Sequence, residues 1–192
     1  LASRYMEKRG LQWNGQLRFL EPTTSGEFRF ENLPVDHVTG KKRSAMTLNQ
    51  GYNNGRVIGG LNLNKVSDDA YFRDLASRIN LTSQTNLVRE GFVGYSNSWW
   101  GDGSYSIVGR VQRFQTLQDP SNIVLTPYAR TPQVTLGAVR QDYHGLDVNF
   151  TGEYVDFSHP TQVIGRRVTM YPSVSLPLVT AGSFLTPKIG LH

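Results

Sequence analysis

The chain lacks cysteine, paired histidines and long hydrophobic runs, and each absence removes a class of protein. No cysteine occurs among its 192 residues, which excludes disulfide scaffolds, thiolate zinc sites and cysteine nucleophiles. The four histidines are scattered, with no pair at metal-ligand spacing, and this argues against metal catalysis. No apolar run approaches the ~20 residues that a membrane-spanning helix requires. Transmembrane β-strands remain possible, because they alternate lipid-facing with lumen-facing residues and are only mildly hydrophobic on average.

The chain is basic, but its charge is dispersed. Twenty basic residues outnumber 15 acidic ones and give a net charge of +5, which permits nucleic acid, anionic lipid or another acidic ligand as a partner. The basic residues do not cluster with aromatic ones, so no nucleic-acid partner is predicted. One short basic run, Lys41 to Arg43, lies in a predicted loop and is a candidate for charge contact with phosphate groups.

Alternation of polar and apolar residues predicts β-strands along most of the chain. The segment 146–157 is the clearest case, since apolar side chains at 146, 148, 150 and 154 alternate with polar ones. Related patterns predict strands at 11–20, 27–33, 45–52, 56–65, 86–97, 104–116, 133–143 and 166–174, with a further strand beginning within 183–191. The sequence therefore predicts an all-β fold.

The predicted connections alternate between long and short. The long ones are 36–43, 67–81 and 117–132, and the last holds three prolines that exclude regular structure. The short ones are 53–55, 98–103 and 144–145. In an antiparallel up-and-down meander this puts all long loops at one end, as in a transmembrane outer-membrane β-barrel. Aromatic residues beside the short turns fit a girdle at one membrane interface, namely Tyr52, Trp99, Trp100 and Tyr143.

The polar sides of the clearest strands predict a wet interior. In such a barrel the apolar side chains face lipid and the polar ones face the lumen. The predicted lumen-facing residues are Gln12, Asn14, Gln16, Arg18, Asn62, Asn64, Asp147, Asn149, Thr151 and Glu153.

One segment, 64–75, interrupts the succession of strands and turns. Ser67 followed by Asp68 and Asp69 is typical of a helix start, because a serine hydroxyl accepts from first-turn amides and carboxylates suit the positive end of the dipole. We expect one or two helical turns inside a long loop. Asp68, Asp69 and Asp74 lack the spacing of an EF-hand calcium loop. Nothing in the sequence predicts an enzyme or a cofactor.

Three stretches carry a resemblance to a known family. Tyr5–Leu11, Phe30–Asp36 and Lys65–Asp74 are similar to early barrel strands of the LptD family, which assembles lipopolysaccharide at the Gram-negative outer membrane. Within the last stretch the most specific residues are Ser67, Asp68, Asp69, Tyr71, Phe72 and Asp74. Shorter matches follow in the family's order at 114–117, 132–134 and 172–177.

The resemblance implies a barrel of about 26 strands, of which residues 1–192 supply nine to eleven. It implies an LptE-type plug lipoprotein, outer-membrane lipid, lipopolysaccharide as substrate, and a periplasmic lipopolysaccharide-bridge protein reached through a jelly-roll domain. By this resemblance the jelly-roll and the C-terminal strands are expected to lie outside this chain, whose ends are expected to be cut rather than natural. An open run of strands has unpaired edges, so the segment is not expected to be stable in a membrane alone.

Two other interpretations remain open from the residues. A different outer-membrane barrel, such as a porin, would show the same alternation around an open channel. A soluble β-sandwich would instead present Trp99, Trp100 and the tyrosines on one sheet face to bind glycan.

Overall fold

The computed structural model describes residues 1–75, 79, 84–99 and 103–191, and β-strands make up most of them. In this described part of the chain one short helix, α1 (Tyr71–Asp74), interrupts the succession of strands. No helix among the described residues has the length and apolar character needed to cross a membrane. The strands are β1 (Ala2–Met6), β2 (Gly10–Leu20), β3 (Thr24–Leu33), β4 (Arg43–Asn53), β5 (Val57–Val66), β6 (Asn86–Trp99), β7 (Gly103–Thr116), β8 (Ala129–Tyr143), β9 (Leu146–Ser158), β10 (Gly165–Ser175), β11 (Leu178–Val179), β12 (Phe184–Leu185) and β13 (Lys188–Gly190).

Eleven of these strands form one sheet in chain order, from β1 to β10 and then β13. Strands β11 and β12 pair with each other as a separate antiparallel hairpin. From β1 to β10 each strand is hydrogen-bonded to the strand that follows it in sequence, as in a meander, and β13 pairs antiparallel with β10. This confirms the predicted all-β, antiparallel up-and-down fold.

The chain contains two compact units. The first comprises Leu1–Asn53, Gly59–Gly91 and Gln112–Ala129. The second comprises Asn54–Ile58, Phe92–Val111 and Arg130–His192.

In the first unit, strands β2 to β4 have one polar and one apolar face. Gln16 pairs with Arg29, which pairs with Thr47, so these side chains lie on the same face. On the other face Leu17 is opposite Phe28, and Leu17 is 61% exposed. The sheet therefore exposes large apolar side chains on the face opposite its polar residues.

An aromatic ring lies over a glycine on the apolar face of this unit. Gly15 pairs directly with Phe30, and a Cβ placed on Gly15 would stand only 2.1 Å from Cε1 of the Phe30 ring. Glycine suits this position because the ring occupies the space that a side chain would fill.

The main apolar core lies on the polar face, where the loop after β5 folds back over the sheet. We call residues 67–75, which include α1, the strap. The strap contributes Tyr71 and Leu75, which are 0% and 2% exposed. The rest of this buried cluster is Leu33, Ala45, Val66, Ile79, Leu87 and Leu117. The strap thus covers part of a face that its strands alone would leave open.

The prediction of a helical turn within the strap is confirmed, but its predicted start at Ser67 is wrong. The residue before α1 is Ala70, and no side chain caps the helix. The Ser67 hydroxyl instead accepts from the Ser44 amide at 3.1 Å and donates to Asp68. The hydroxyl therefore bonds to the sheet and to Asp68 and does not cap the helix.

The predicted ends of two other segments also require correction. The loop predicted to run to Pro132 ends earlier, because β8 begins at Ala129 and includes that proline as its fourth residue. The strand predicted within 183–191 is divided into β12 and β13, with Pro187 between them. The carbonyl of Pro187 accepts the Leu176 amide at 3.0 Å, which brings the chain back to the sheet.

The predicted positions of the aromatic residues agree with the structure for three of the four. Tyr52, Trp99 and Tyr143 each lie at or next to the last residue of a strand that ends in a short connection. Their exposed fractions are 38%, 44% and 44%. Trp100 lies outside the described residues.

Candidate functional site

Five charged side chains from four segments meet at one end of the first unit. Arg9 follows β1, Asp36 lies in the loop after β3, Arg43 begins β4, and Asp68 and Asp74 belong to the strap. Their ion pairs range from 2.6 to 3.8 Å. We call this group the ionic network.

Arg43 is the centre of the ionic network. Its Nε and Nη2 atoms donate to the two carboxylate oxygens of Asp68 at 2.9 and 2.6 Å, a bidentate arrangement. Its Nη1 atom donates to Asp74 at 3.0 Å and to Asp36 at 3.3 Å. The side chain is 3% exposed, and its guanidinium carbon lies 5.7 Å from the centre of the Tyr71 ring. One buried cation therefore links the sheet to two separate loops.

Asp36 is fully buried and depends on both arginines. Arg9 Nη1 donates to its Oδ2 atom at 2.6 Å, and the Val38 amide donates to its Oδ1 atom at 3.0 Å. Burial alone would raise the pKa of this carboxyl group. The hydrogen bonds from the Val38 amide, Arg9 and Arg43 outweigh burial and hold the pKa below its ordinary value. Asp36 is thus a buried anion.

Asp68 is the half-exposed anion through which the strap meets Arg43. Burial again acts to raise its pKa, but hydrogen bonds from Arg43 and then Ser67 lower the pKa below its usual value. The Ala70 amide also donates to Oδ1 of Asp68 at 3.1 Å. The carboxylate therefore orders the chain just before α1 while it binds Arg43.

Beside the ionic network, Tyr71 makes a second polar contact with the sheet. Its hydroxyl donates to Oε2 of Glu31 at 2.8 Å, and Gln12 Nε2 approaches the same hydroxyl at 3.4 Å. Burial, followed by the charge of Glu31, raises the pKa of Tyr71 above its ordinary value. The ring packs edge-to-face on Phe72, with centroids 5.5 Å apart. The strap therefore combines apolar burial with bonds of defined geometry.

A side-chain amide fixes the point where β5 leads into the strap. Gln115 accepts from the Val66 amide at 3.2 Å and donates to the Val66 carbonyl at 2.9 Å, as a neighbouring strand would. Arg89 donates to Oε1 of Gln115 at 2.6 Å and to the Asn64 carbonyl at 3.1 Å. The side-chain Nδ2 of Asn64 in turn donates to Oδ1 of Asn62 at 2.7 Å. Asn62 and Asn64, the two predicted polar residues on β5, thus belong to one hydrogen-bonded group.

The other predicted polar residues of the first unit lie on β2. Gln16 and Arg18 both donate to Oε1 of Glu27 on β3, the arginine from Nε at 2.7 Å. Asn14 is paired in register with the buried Glu31. Together with Gln12 they alternate along one strand, so the structure places the four on one face.

In the second unit, the predicted residues Asp147, Asn149, Thr151 and Glu153 alternate along β9 and share a face. Glu153 accepts from Gln133 at 2.6 Å and from Arg167 at 2.8 Å. Asn149 and Thr151 are exposed.

The structure separates the residues of the predicted family motif by role. Asp68, Tyr71 and Asp74 bind the sheet, and Ser67 and Phe72 support them, while Asp69 is exposed outside the ionic network.

The expectation of an exposed basic run is wrong for Arg43, because that residue is buried among carboxylates. Lys41 and Lys42 are exposed and border a cleft of about 360 Å³ next to the strap.

Sequence reasoning missed the partners of the motif. Arg9, Glu31 and Asp36 lay within the stretches that carry the family resemblance, but no local pattern joined them to the strap. Their charge at strand ends is the only signal available from sequence.

The ionic network is a set of ion pairs, and its three aspartates converge on a guanidinium group. Among the residues that the structure describes, no cluster of His, Asp or Glu is arranged to hold a metal ion.

Comparison with known proteins supports the resemblance seen in the sequence. A family model described as "LptD: LPS transport system D" matches residues 41–192. The whole chain is also 44% identical to the "LPS-assembly protein LptD" of Azoarcus sp. (strain BH72), over 24% of that protein. Proteins of the same name from Nitrosospira multiformis and Nitrosomonas europaea are 40% and 39% identical over the whole chain and 21% and 27% of their own lengths. The chain thus spans about a quarter of the length of these relatives.

The fold also bears on the alternative interpretations. A glycan-binding sandwich needs two sheets packed face to face, whereas eleven strands here join in a single sheet. A porin is not favoured by the family match.

Proposed function

Because this chain belongs to the LptD family, we propose that the protein containing it transports lipopolysaccharide and inserts it into the outer leaflet of the outer membrane. The observation that carries this proposal is the family match over residues 41–192, together with relatives named for lipopolysaccharide assembly across the whole chain. The chain itself forms part of the wall of a transmembrane barrel. It is a transport component, and no bond-making chemistry is assigned to it.

The two-faced sheet supports this role for the chain. The face that exposes Leu17 is suited to hydrocarbon, where burying apolar surface is favourable and charged groups are costly. The opposite face carries the polar residues and the strap and lines the lumen. The ten residues predicted from sequence to face the lumen keep that assignment as part of the proposal. An LptE-type plug within the lumen and a periplasmic lipopolysaccharide-bridge protein are the proposed protein partners.

A test of the function begins with compartment and size. An antibody against this segment should detect, in the outer-membrane fraction of the source cells, a protein roughly four times 21.5 kDa, since the chain covers 24% of its Azoarcus relative. Depleting that protein should stop newly made lipopolysaccharide from reaching the cell surface, and a plasmid copy should restore delivery. A soluble 21.5 kDa band, or unchanged delivery after depletion, would refute the proposal.

The assignment of faces is tested by neighbouring cysteine substitutions in the full-length protein. Gln16→Cys should react with a membrane-impermeant maleimide in assembled barrels, because the lumen is wet. Leu17→Cys should be protected in the membrane and should react after the protein is transferred to urea. The reverse pattern would show that the polar face is not luminal.

A further inference from the structure

We propose that Arg43 is a positioning residue that holds the strap on the polar face of β3 and β4. The proposal goes beyond the assignment of a transport function and concerns what determines the position of one luminal segment. It rests on the proposed barrel only for the statement that the covered surface faces the lumen. We call the set of bonds by which Arg43 holds the strap the lock, and all of its residues belong to the first unit.

The geometry of Arg43 supports this role. Four hydrogen bonds leave its guanidinium group, and three of them end on strap carboxylates, two on Asp68 and one on Asp74. The fourth ends on Asp36, which is fully buried. Because the planar guanidinium fork fits a carboxylate in one orientation, these bonds set the angle and register of the strap, which apolar contact alone does not do.

The charges show what happens without Arg43. The three carboxylates would then keep only weaker cation contacts at Asp74, to Arg9 Nη2 at 3.8 Å and to Arg73 Nε at 3.9 Å, while Arg9 alone would remain on Asp36. Asp36 would remain buried beside the approaching Asp68 and Asp74. Carboxylates that all lie within 3.3 Å of one guanidinium group repel one another when that group is removed, and burial strengthens the repulsion. Arg43 therefore converts a repulsive contact between strap and sheet into an attractive one.

Ala45 is a suitable reporter of strap position. It lies on β4, is 3% exposed and belongs to the apolar cluster that Tyr71 and Leu75 complete from the strap. An Ala45→Cys substitution adds only a thiol group to this small side chain. It should react with a water-soluble maleimide only when the strap leaves the sheet.

The experiment measures maleimide labelling of the full-length protein in outer-membrane preparations, by mass spectrometry of the peptide that contains position 45. Arg43→Met should accelerate labelling of Ala45→Cys by roughly tenfold or more, each tenfold corresponding to about 1.4 kcal/mol of weakened closure. Arg43→Lys should give an intermediate rate, because an ammonium group keeps the charge without the bidentate fork. Asp69→Asn is the matched control and should leave the rate unchanged.

A rescue experiment distinguishes charge from general damage. Adding Asp68→Asn and Asp74→Asn to Arg43→Met removes the repulsion and should slow labelling again, to a rate still above that of the parent. The Asp68→Asn, Asp74→Asn protein keeps Arg43 paired with Asp36, so it tests the lock even if Arg43→Met fails to assemble. Its labelling should also exceed the parent rate.

Val155→Cys provides the control for global unfolding, since Val155 is 0% exposed and lies in the second unit. It should stay unlabelled in every variant. If position 45 remains protected in assembled Arg43→Met protein and in the double aspartate variant, the lock is refuted and apolar packing holds the strap. Lipopolysaccharide delivery is scored separately, so failure of the proposed function would leave the labelling result intact.

Discussion

Replacing Tyr71 with phenylalanine removes one hydroxyl group from the interface between the strap and the sheet. The ring is 0% exposed and should stay in place, because phenylalanine fills the same volume and retains the contact with Phe72. The main loss is the hydrogen bond of 2.8 Å to the Glu31 carboxylate, together with the longer bond of 3.4 Å that Gln12 donates to the same hydroxyl. Hydrogen bonds to charged groups contribute about 1.5–3 kcal/mol.

We expect Tyr71→Phe to fall near the lower end of that range, because Glu31 makes further interactions that remain. Tyr71→Ala should cost more, about 3–5 kcal/mol, since it also leaves a cavity where the ring was. The measurement is urea unfolding of the full-length protein reconstituted in liposomes. Tyr5→Phe is the control, because Tyr5 is 73% exposed, and it should stay within about 0.5 kcal/mol of the parent.

The pKa of Tyr71 adds a second test. Because its folded pKa lies above the ordinary value of 10.0, the stability from the protonated hydroxyl is complete below about pH 10 and declines as the pH rises through the folded pKa. The gap between the parent and Tyr71→Phe should therefore narrow in alkali. If Tyr71→Phe and Tyr5→Phe unfold at the same urea concentration at neutral pH, the bond to Glu31 does not stabilise the strap.

Two further predictions concern packing and acid stability. Gly15→Ala should destabilise the full-length protein by about 1–3 kcal/mol in the same urea assay, because the Phe30 ring must move aside. Gly51→Ala is the control and should leave stability unchanged, because its new Cβ meets only Ser25 Oγ at 4.0 Å. Equal loss of stability in the two variants would contradict the prediction. Asp36 and Asp68 have folded pKa values below the ordinary 3.8, so their stabilisation is complete above about pH 4 and is lost as the pH falls through the folded values. Asp68→Asn should make stability less dependent on pH between about pH 4 and 2, and an unchanged acid profile would refute this assignment.

The fold class was predictable because it depends on a local, repeated pattern. Side chains of a strand alternate between its two faces, so alternating apolar and polar residues are enough to predict a sheet with one apolar and one polar face. The segment 146–157 shows this clearly: predicted from alternation alone, it is observed as β9 from Leu146 to Ser158. The ends of strands were less predictable. Pro132 lies within β8, although proline has no N–H to donate to a neighbouring strand.

The candidate site was only partly predictable. The motif around Asp68, Tyr71 and Asp74 stood out in the sequence, yet its function as a strap was not apparent, and Ser67 was assigned to a helix cap that does not form. The error has a physical reason, because a serine hydroxyl bonds to whichever partner the tertiary structure presents. Here that partner is the amide of Ser44 on β4.

By itself the sequence determined an all-β meander with one polar face, an apolar face exposed on the other side, and a short helical turn in the loop after β5. Only the tertiary structure decided that Arg43 is buried and not an exposed loop cation, and that it meets Asp36, 7 positions away, and Asp74, 31 positions away. Alternation reports which face a side chain occupies. It carries no information about which distant charge will fold over that face, because ion pairs are chosen by proximity in space.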